Sequence, residues 1–540
     1  MAPDVSEIRS ESLDAPSPFW AGPMLRLVIV VALSLSVLAA AVWTAHWPIV
    51  GDAPLLHYVA FLIDHGKVPY RDIVEIDMPG TYALEWAAIH VLGPGAAAWR
   101  VFDFGLLAAA MAAMIAITWP VDWLAGFFGG AMFALIHFRD GPTHTGQRDL
   151  MMTVMALIGC AFLFYAMRKQ RLWAAGAFGL FAGMAATIKP SGQLFFTVLV
   201  VLLWLRLREL HRPKAPYLAA SIAGFAVPLL ACSLYLVHHG AFGAFIAICK
   251  GIGAYHASLG RPALWRLVVG SFPSVLLAVA IPALPLFIVA KWWRQWEHLA
   301  ITCCVVIGAA SYIIQGKGFP YHRYPTEAFL LLLCGMVLVA MLKQTGWRRG
   351  VAVVGLLAGA LYLAPASAAI ARHYDWRDQE FQQMLTADLT QLGGPRLDGK
   401  VQCLEMAAEC QNTLYNMRLM EATGYMYDCY MFQTQQTSVS LKYREDFWAA
   451  IHAHPPQVFV VTNQDCFTLH RGFGLTARWP QFQDYLQSEY TLATQRTPPH
   501  LLGWWRHPAV PFSYQLYVRN HPGGPSSPVA SSPAKVGSAP

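Results

Sequence analysis

Long apolar runs separated by short polar stretches dominate the chain. A helix of roughly 17–25 apolar residues is long enough to cross about 30 Å of hydrocarbon. Such runs lie near 24–45, 98–118, 121–138, 149–167, 172–188, 191–205, 216–238, 264–290, 297–314, 326–342 and 350–370, which predicts about eleven transmembrane helices. Two further apolar stretches, 53–65 and 78–92, are shorter and have mixed faces. They are expected to lie along the outer interface. The polar residues 1–23 precede the first run, which is therefore expected to be an uncleaved anchor and the first span.

After Ile370 the pattern changes. Residues 371–520 read as one small soluble domain, with a helix at 376–393, strands at 399–405, 425–432 and 456–462, and helices near 409–421 and 439–453. Alternating strands and helices suggest an α/β layer. Residues 521–540 are rich in Pro, Gly and Ser and are expected to be disordered. The predicted fold class is thus an α-helical polytopic membrane protein with a small C-terminal α/β extracytoplasmic domain. Its parts are a cytoplasmic tail (1–23), a membrane domain (24–370, first outer loop 46–97), the α/β domain (371–520) and the tail (521–540).

Composition agrees with the pattern. The chain is 56% hydrophobic and 13% charged, against about 25% charged in soluble domains. Its basic residues fall in short clusters: Arg26; Arg168, Lys169 and Arg171; Arg206, Arg208, Arg212 and Lys214; Lys291 and Arg294; Lys343, Arg348 and Arg349. If the spans alternate, all these clusters lie on one side, which the positive-inside bias makes the cytoplasm. The N-terminus is then inside and the α/β domain outside, an arrangement that suits a bacterial inner membrane. Scattered clusters of this kind do not form a nucleic-acid groove. The sequence has no glycine-rich phosphate loop, no CxxC pair and no HExxH. Cys403, Cys410, Cys429 and Cys466 all fall in the outer domain, where two disulfides have three possible pairings.

The charges that topology does not explain gather in the outward segments. The carboxylates are Asp52 just after the first span, Glu75 and Asp77 before Pro79, and Asp149 at the head of the fourth span. The cations are Arg139, Arg148, Lys189, Lys317, His322 and Arg323, in segments 139–148, 189–192 and 315–325. A single carboxylate there is as readily a helix cap, and a single cation a snorkelling side chain. Four carboxylates beside six cations on one face point to a site, and clustered Lys and Arg at a lipid boundary suit a membrane-anchored phosphate. His144 and His322 offer nitrogens beside Glu75 or Asp77, so a divalent metal is the lesser alternative, and no cofactor is otherwise called for.

The motifs then become specific. Asp52, GKVPYRDIVEIDMPGTY (66–82), LGPGAAAWR (92–100), GQRDLMMT (146–153), a lysine after a glycine-rich span, and QGKGFPYHRYP (315–325) together resemble the GT-C superfamily of integral-membrane glycosyltransferases. The similarity covers roughly 24–345 and is nearest to the protein O-mannosyltransferases, the lipid A aminoarabinose transferase and the Rgt-type lipopolysaccharide sugar transferases. It implies a polyprenyl-phosphate sugar donor and a glycan, lipid or protein acceptor. It also implies that Asp52 is the base, that Glu75, Asp77 and Asp149 are the acidic positions of the site, and that Lys317 and Arg323 meet the donor phosphate. The charges themselves add Arg148 to the expected substrate-binding set of Glu75, Asp77 and Asp149, and Lys189 and His322 to the expected phosphate-binding set. Two departures stand out: many members have two adjacent acids where this chain has Asp52-Ala53, and Asp77-Met78-Pro79 argues against aminoarabinose as the sugar.

The expected activity is inverting transfer from that donor at the outer face, with membrane lipids as surroundings and no nucleic acid. A flippase of lipid-linked sugars is the first rival and would place ionisable residues at the bilayer midplane. An outer-face transferase of another class and an inactive scaffold are the others.

Overall fold

The computed structural model describes residues 22–373, 379–405, 409–467, 472–498, 503–504, 507–508 and 513–520. The expected disordered tail, and all but the last two residues of the expected cytoplasmic tail, lie outside them. All the long apolar runs are helical. The order begins α1 (Pro23–Thr44), α2 (Ala53–Asp64), α3 (Pro79–Leu92), α4 (Ala96–Thr118), α5 (Trp123–Asp140), α6 (Arg148–Lys169), α7 (Leu172–Ile188), α8 (Gly192–Glu209) and α9 (Ala215–His238). It continues with α10 (Phe242–Ile248), α11 (Ala254–Ser258), α12 (Leu264–Gly270), α13 (Leu277–Val289), α14 (Trp296–Gln315), α15 (Tyr324–Met341), α16 (Gly346–Leu357) and α17 (Ala364–Arg372). Among the described residues, 8 helical segments are long and apolar enough to cross a membrane. The other expected spans, α5, α7 and α8, are helices of 18, 17 and 18 residues.

Side-chain contacts show which helix ends meet. At one end Arg26 of α1 pairs with Asp122 before α5. There too Arg168, at the end of α6, reaches the carbonyl of Ile117 in α4 and Glu297 at the head of α14. At the opposite end, called here the loop end, the first loop meets the heads of α6 and α15 and the end of α7. The centre of the bundle is α15 and α6, with 83% and 72% of their spans buried, and α9 is peripheral at 11%. α7 and α9 touch backbone to backbone: a Cβ on Gly179 would fall 1.9 Å from the Ser221 carbonyl oxygen, and one on Gly224 would fall 2.0 Å from that of Gly176. Small residues allow such close approach where the hydrophobic effect between helices is weak.

Several elements differ from the sequence pattern. The run at 264–290 is broken into α12 and α13, because Pro273 removes a backbone donor and disfavours helix at Phe272. Segment 239–263, expected as a loop, is helical from Phe242 to Ser258. Ala244, Phe245, Ile248 and Ile252 pack on one core there, at helical spacing. Helix α2 is buried on every face from Ala53 to Leu62, so it does not lie half-exposed along an interface.

What covers α2 is the C-terminal part. It holds α18 (Gln379–Leu392), α19 (Glu409–Met417), α20 (Ser438–Ala453) and α21 (Pro480–Glu489). Its strands are β1 (Val401–Leu404), β2 (Val458–Thr462), β3 (Tyr490–Arg496), β4 (Gly503–Trp504), β5 (His507–Pro508) and β6 (Tyr514–Arg519). Four of them form a sheet in the order β1-β2-β6-β3, with β1 and β2 parallel and the other pairs antiparallel. Strands β1 and β2 are buried throughout, as parallel neighbours covered on both faces require. Strand β3 carries no apolar pattern, because most of its residues are exposed. Residues 425–432 form no strand. They run between the first loop and the sheet, with one bridge from Tyr425 to Val74, and bury Tyr430, Met431 and Phe432 in a third core. The disulfides are Cys403–Cys410 and Cys429–Cys466. Leu55, Tyr58 and Ile73 of the first loop share a core with Leu385, Val401 and Leu414, so loop and sheet pack as one body.

Candidate active site

Asp52 stands at the N-cap of α2, and its side chain makes no capping bond. The turn before it uses Gly51 at φ +75°, where a Cβ would meet the Thr143 carbonyl oxygen at 2.9 Å. First and second loops therefore touch at this point, and the Asp52 carboxylate is left to Arg148 and the Tyr321 hydroxyl. Arg148 Nη2 donates to Asp52 Oδ2 at 2.7 Å, and its Nη1 contacts Asp77 Oδ1. One guanidinium thus bridges two carboxylates from both ends of the first loop, and its Nε has no hydrogen-bond partner.

Behind this clamp lies Glu75, 2% exposed. Its Oε2 accepts from the Asp77 backbone N–H at 2.6 Å and from the Tyr82 hydroxyl, while Oε1 is unpartnered. Burial raises the Glu75 carboxyl above its usual range, against the opposing pull of Tyr82 and Arg148. Asp149 is fully buried, with Oδ2 2.5 Å from Lys189 Nζ and 3.9 Å from His322 Nε2. Its Oδ1 has no partner. Burial lowers the Lys189 ammonium, partly offset by Asp149.

Lys317 approaches from the other side. Its Nζ donates to the carbonyls of His256 and Leu259 and lies 4.2 Å from the centre of the Phe467 ring. Burial and then Arg261 lower it to about 8. His256 Nδ1 lies 3.0 Å from the Tyr430 hydroxyl, and burial, then Lys317, brings this imidazole down to about 3. It is neutral at pH 7. These groups line a cavity of about 270 Å³, whose walls include Asp52, Glu75, Arg148, Lys317, His322 and the Cys429–Cys466 bridge.

The structure therefore gathers Asp52, Glu75, Asp77, Arg148, Asp149, Lys189, Lys317 and His322. Arg323 stands apart: it lies 5.8 Å from the Tyr312 ring, its charge is felt by the Asp140 and Glu327 carboxyls, and it does not line the cavity. It sits next to His322 on a single helical turn, which points neighbouring side chains in different directions. His144 does not join Glu75 or Asp77 either. Its ring packs against Tyr321 and Tyr324, and burial takes it down to about 3. Among the described residues, the group that could hold a metal by geometry is Cys403, Glu405 and Cys410, and its cysteines form a disulfide. An aromatic wall of Phe319, Tyr427, Tyr430 and Phe467, not among the expected site residues, completes the cavity. Its signal in the sequence was the run YMYDCYMF, which reads equally well as a strand.

No protein-family model and no curated protein sequence matches the chain. Solved structures do. ArnT from Cupriavidus metallidurans in the apo state superposes with a TM-score of 0.54 at 12% identity, over 91% of this chain and 98% of that one. The same protein bound to undecaprenyl phosphate gives 0.53 at 11%, over 92% and 98%. The apo oligosaccharyltransferase of Archaeoglobus fulgidus gives 0.52 at 11%, over 82% and 70%. Both proteins are GT-C glycosyltransferases. The chain has the GT-C fold. At 92% of this chain the likeness extends beyond the helical bundle, so the GT-C fold here includes part of the sheet that closes over the first loop.

Proposed function

We propose that the protein is an integral-membrane glycosyltransferase that moves a sugar from a polyprenyl-phosphate donor to an acceptor hydroxyl with inversion. The observation that carries this reading is the Asp52 carboxylate, free of capping duty, held by Arg148 at a cavity whose far wall carries Lys317. The undecaprenyl phosphate bound by ArnT is the kind of lipid phosphate that such a wall suits.

In this mechanism the acceptor hydroxyl attacks the anomeric carbon from the side opposite the phosphate. Asp52 takes the hydroxyl proton as the new C–O bond forms. The bond from the anomeric carbon to the phosphate oxygen breaks, and polyprenyl phosphate leaves with the electron pair. Lys189 and Lys317 stabilise the charge that grows on it, since each ammonium has three donors and not all are taken by the protein. Arg148 holds Asp52 and Asp77 in register, Glu75 on the cavity wall orients sugar hydroxyls, and buried Asp149 orients Lys189. The buried charges within the helices also favour an enzyme over a flippase. Arg100, Asp103, His137 and Glu327 all lie in the loop-end turns of α4, α5 and α15, not at mid-helix. The orientation proposed is the loop end outward from a bacterial inner membrane, with a cytoplasmic N-terminus.

The test is transfer from a panel of radiolabelled polyprenyl-phosphate sugars in membranes, wild type beside Asp52→Asn. Transfer by the wild type and its loss in the variant at equal protein level supports donor class and base. Equal transfer by both removes Asp52 from the mechanism. If neither transfers, surface glycans compared with and without the protein decide between enzyme and flippase.

A further inference from the structure

Asp52, Glu75, Arg148, Lys317 and His322 line the cavity. A second set lies behind it, outside every residue expected to act. Arg100 and Asp103 in α4, His137 in α5 and Tyr324 at the head of α15 are each 2% exposed or less. Arg100 Nη1 donates to Asp103 Oδ2 at 2.7 Å, and its Nη2 to Thr44 Oγ1 at 3.0 Å. His137 Nε2 lies 3.0 Å from the same Asp103 oxygen, and its Nδ1 lies 2.6 Å from the Tyr324 hydroxyl. The remaining oxygen, Asp103 Oδ1, accepts from the backbone N–H of Gly146 at 2.7 Å.

Ionisable groups buried among membrane helices are costly, and they persist where they are used. Tying α1, α4, α5 and α15 together would explain Arg100, His137 and Tyr324. It does not require Asp103 to spend an oxygen on a loop. Gly146 has φ +59°, and a Cβ there would fall 2.0 Å from the Trp99 indole. The turn is therefore pressed by Trp99 and held by Asp103. Two residues later comes Arg148, whose guanidinium bridges Asp52 and Asp77.

We infer that Arg100, Asp103, His137 and Tyr324 are positioning residues that set the turn at 141–147 and, through it, the Arg148 clamp; the catalytic part of this role rests on the transferase reading above. Asp103 is the hub. Arg100 balances its charge, His137 orients it, and Tyr324 fixes the imidazole. None of the four touches the cavity. The network acts on the placement of Arg148, not on donor affinity.

The experiment uses the full chain in lipid nanodiscs. Amide hydrogen exchange of 141–148 is followed beside steady-state transfer, in wild type, Asp103→Leu, Asp103→Asn and His137→Gln. In Asp103→Leu, exchange in 141–148 should rise roughly tenfold or more while α6 and α15 keep their protection. Transfer kcat should fall about 100-fold, with donor KM within about threefold of wild type. Asp103→Asn keeps an acceptor for Gly146 and should recover part of both losses. Unchanged exchange in 141–148 of Asp103→Leu overturns the inference, whatever the activity. Faster exchange with wild-type kcat overturns it too. If Asp103→Leu loosens the whole bundle, His137→Gln decides, because it leaves the Arg100–Asp103 pair intact and is read by the same two measurements. A wild type that transfers from no donor leaves the transferase reading to the surface-glycan comparison, while exchange still decides whether Asp103 sets the turn.

Discussion

Both ends of the helical bundle carry ion pairs, and the difference lies in how the charges are shared. At the far end Arg168 meets Glu297 through two hydrogen bonds of 2.8 and 2.7 Å, and Arg26 meets Asp122 in the same two-pronged way. Each cation has one anion. At the loop end Arg148 is divided between Asp52 and Asp77, and Asp149 keeps one oxygen free. The two N-cap aspartates make the contrast plain. Asp122 accepts from the Leu124 N–H and caps α5, whereas Asp52 leaves α2 uncapped. The far-end cavity is also larger, about 480 Å³ against about 270 Å³. Neither charge count nor cavity size therefore marks the site. A cation divided between two carboxylates does, because neither carboxylate then has a cation of its own and each keeps hydrogen-bonding capacity for a substrate.

The comparison can be broken most directly at its two arginines. Arg148→Gln removes the clamp and should lower transfer kcat by roughly 10²–10³, the scale of losing one aligned electrostatic group. If steady-state rates for Arg148→Gln match the wild type, the loop end is no more active than the far end. A second effect concerns the wall. Replacing Cys429 and Cys466 by serine should cost about 2–4 kcal/mol of stability. It should appear as a lower melting temperature and a raised donor KM, because the bridge lines the cavity.

A smaller effect should come from pH. Lys317 is held at about 8, so it loses its proton as pH rises from 7 to 9. Donor KM should climb by up to about tenfold over that range, and Lys317→Arg should flatten the profile, since arginine keeps its charge. The sign for stability is opposite. Between pH 8 and the unfolded lysine range the unfolded chain binds more protons, so this group's contribution to stability rises with pH there. The smallest expected change is at the far end. Arg168→Gln breaks a partly exposed pair worth at most about 1 kcal/mol. Its transfer rate should stay within about twofold of wild type. A loss comparable with Arg148→Gln would erase the distinction between the ends.

Much of this was legible along the chain, and for a clear reason. Helices in a membrane satisfy their own backbone and announce themselves by hydropathy alone. The runs from 24–45 to 350–370 needed no tertiary information, except where Pro273 broke one. The spacing of the arginine and lysine clusters likewise told which helix ends meet, and so brought Asp52, Asp149, Lys189 and Lys317 into one neighbourhood. The sheet was less legible. Strands β1 and β2 were visible as short apolar runs, while exposed β3 was not, and YMYDCYMF alternates in a way that suits a strand or a wedge equally.

Hydropathy and charge spacing thus indicate the membrane class of the fold and the end of the bundle where the candidate site gathers. They do so because both are sums over many residues. Partnership is a matter of single atoms, and it was settled only in three dimensions. Arg148 became the clamp because the turns at Gly51 and Gly146 bring two loops together. Arg323 lies against the Tyr312 ring and off the cavity wall, although its neighbour His322 faces the cavity. The C-terminal part, which reads as a separate domain, closes over α2 and supplies the aromatic wall. Such outcomes depend on contacts between residues hundreds of positions apart, and no local pattern encodes those.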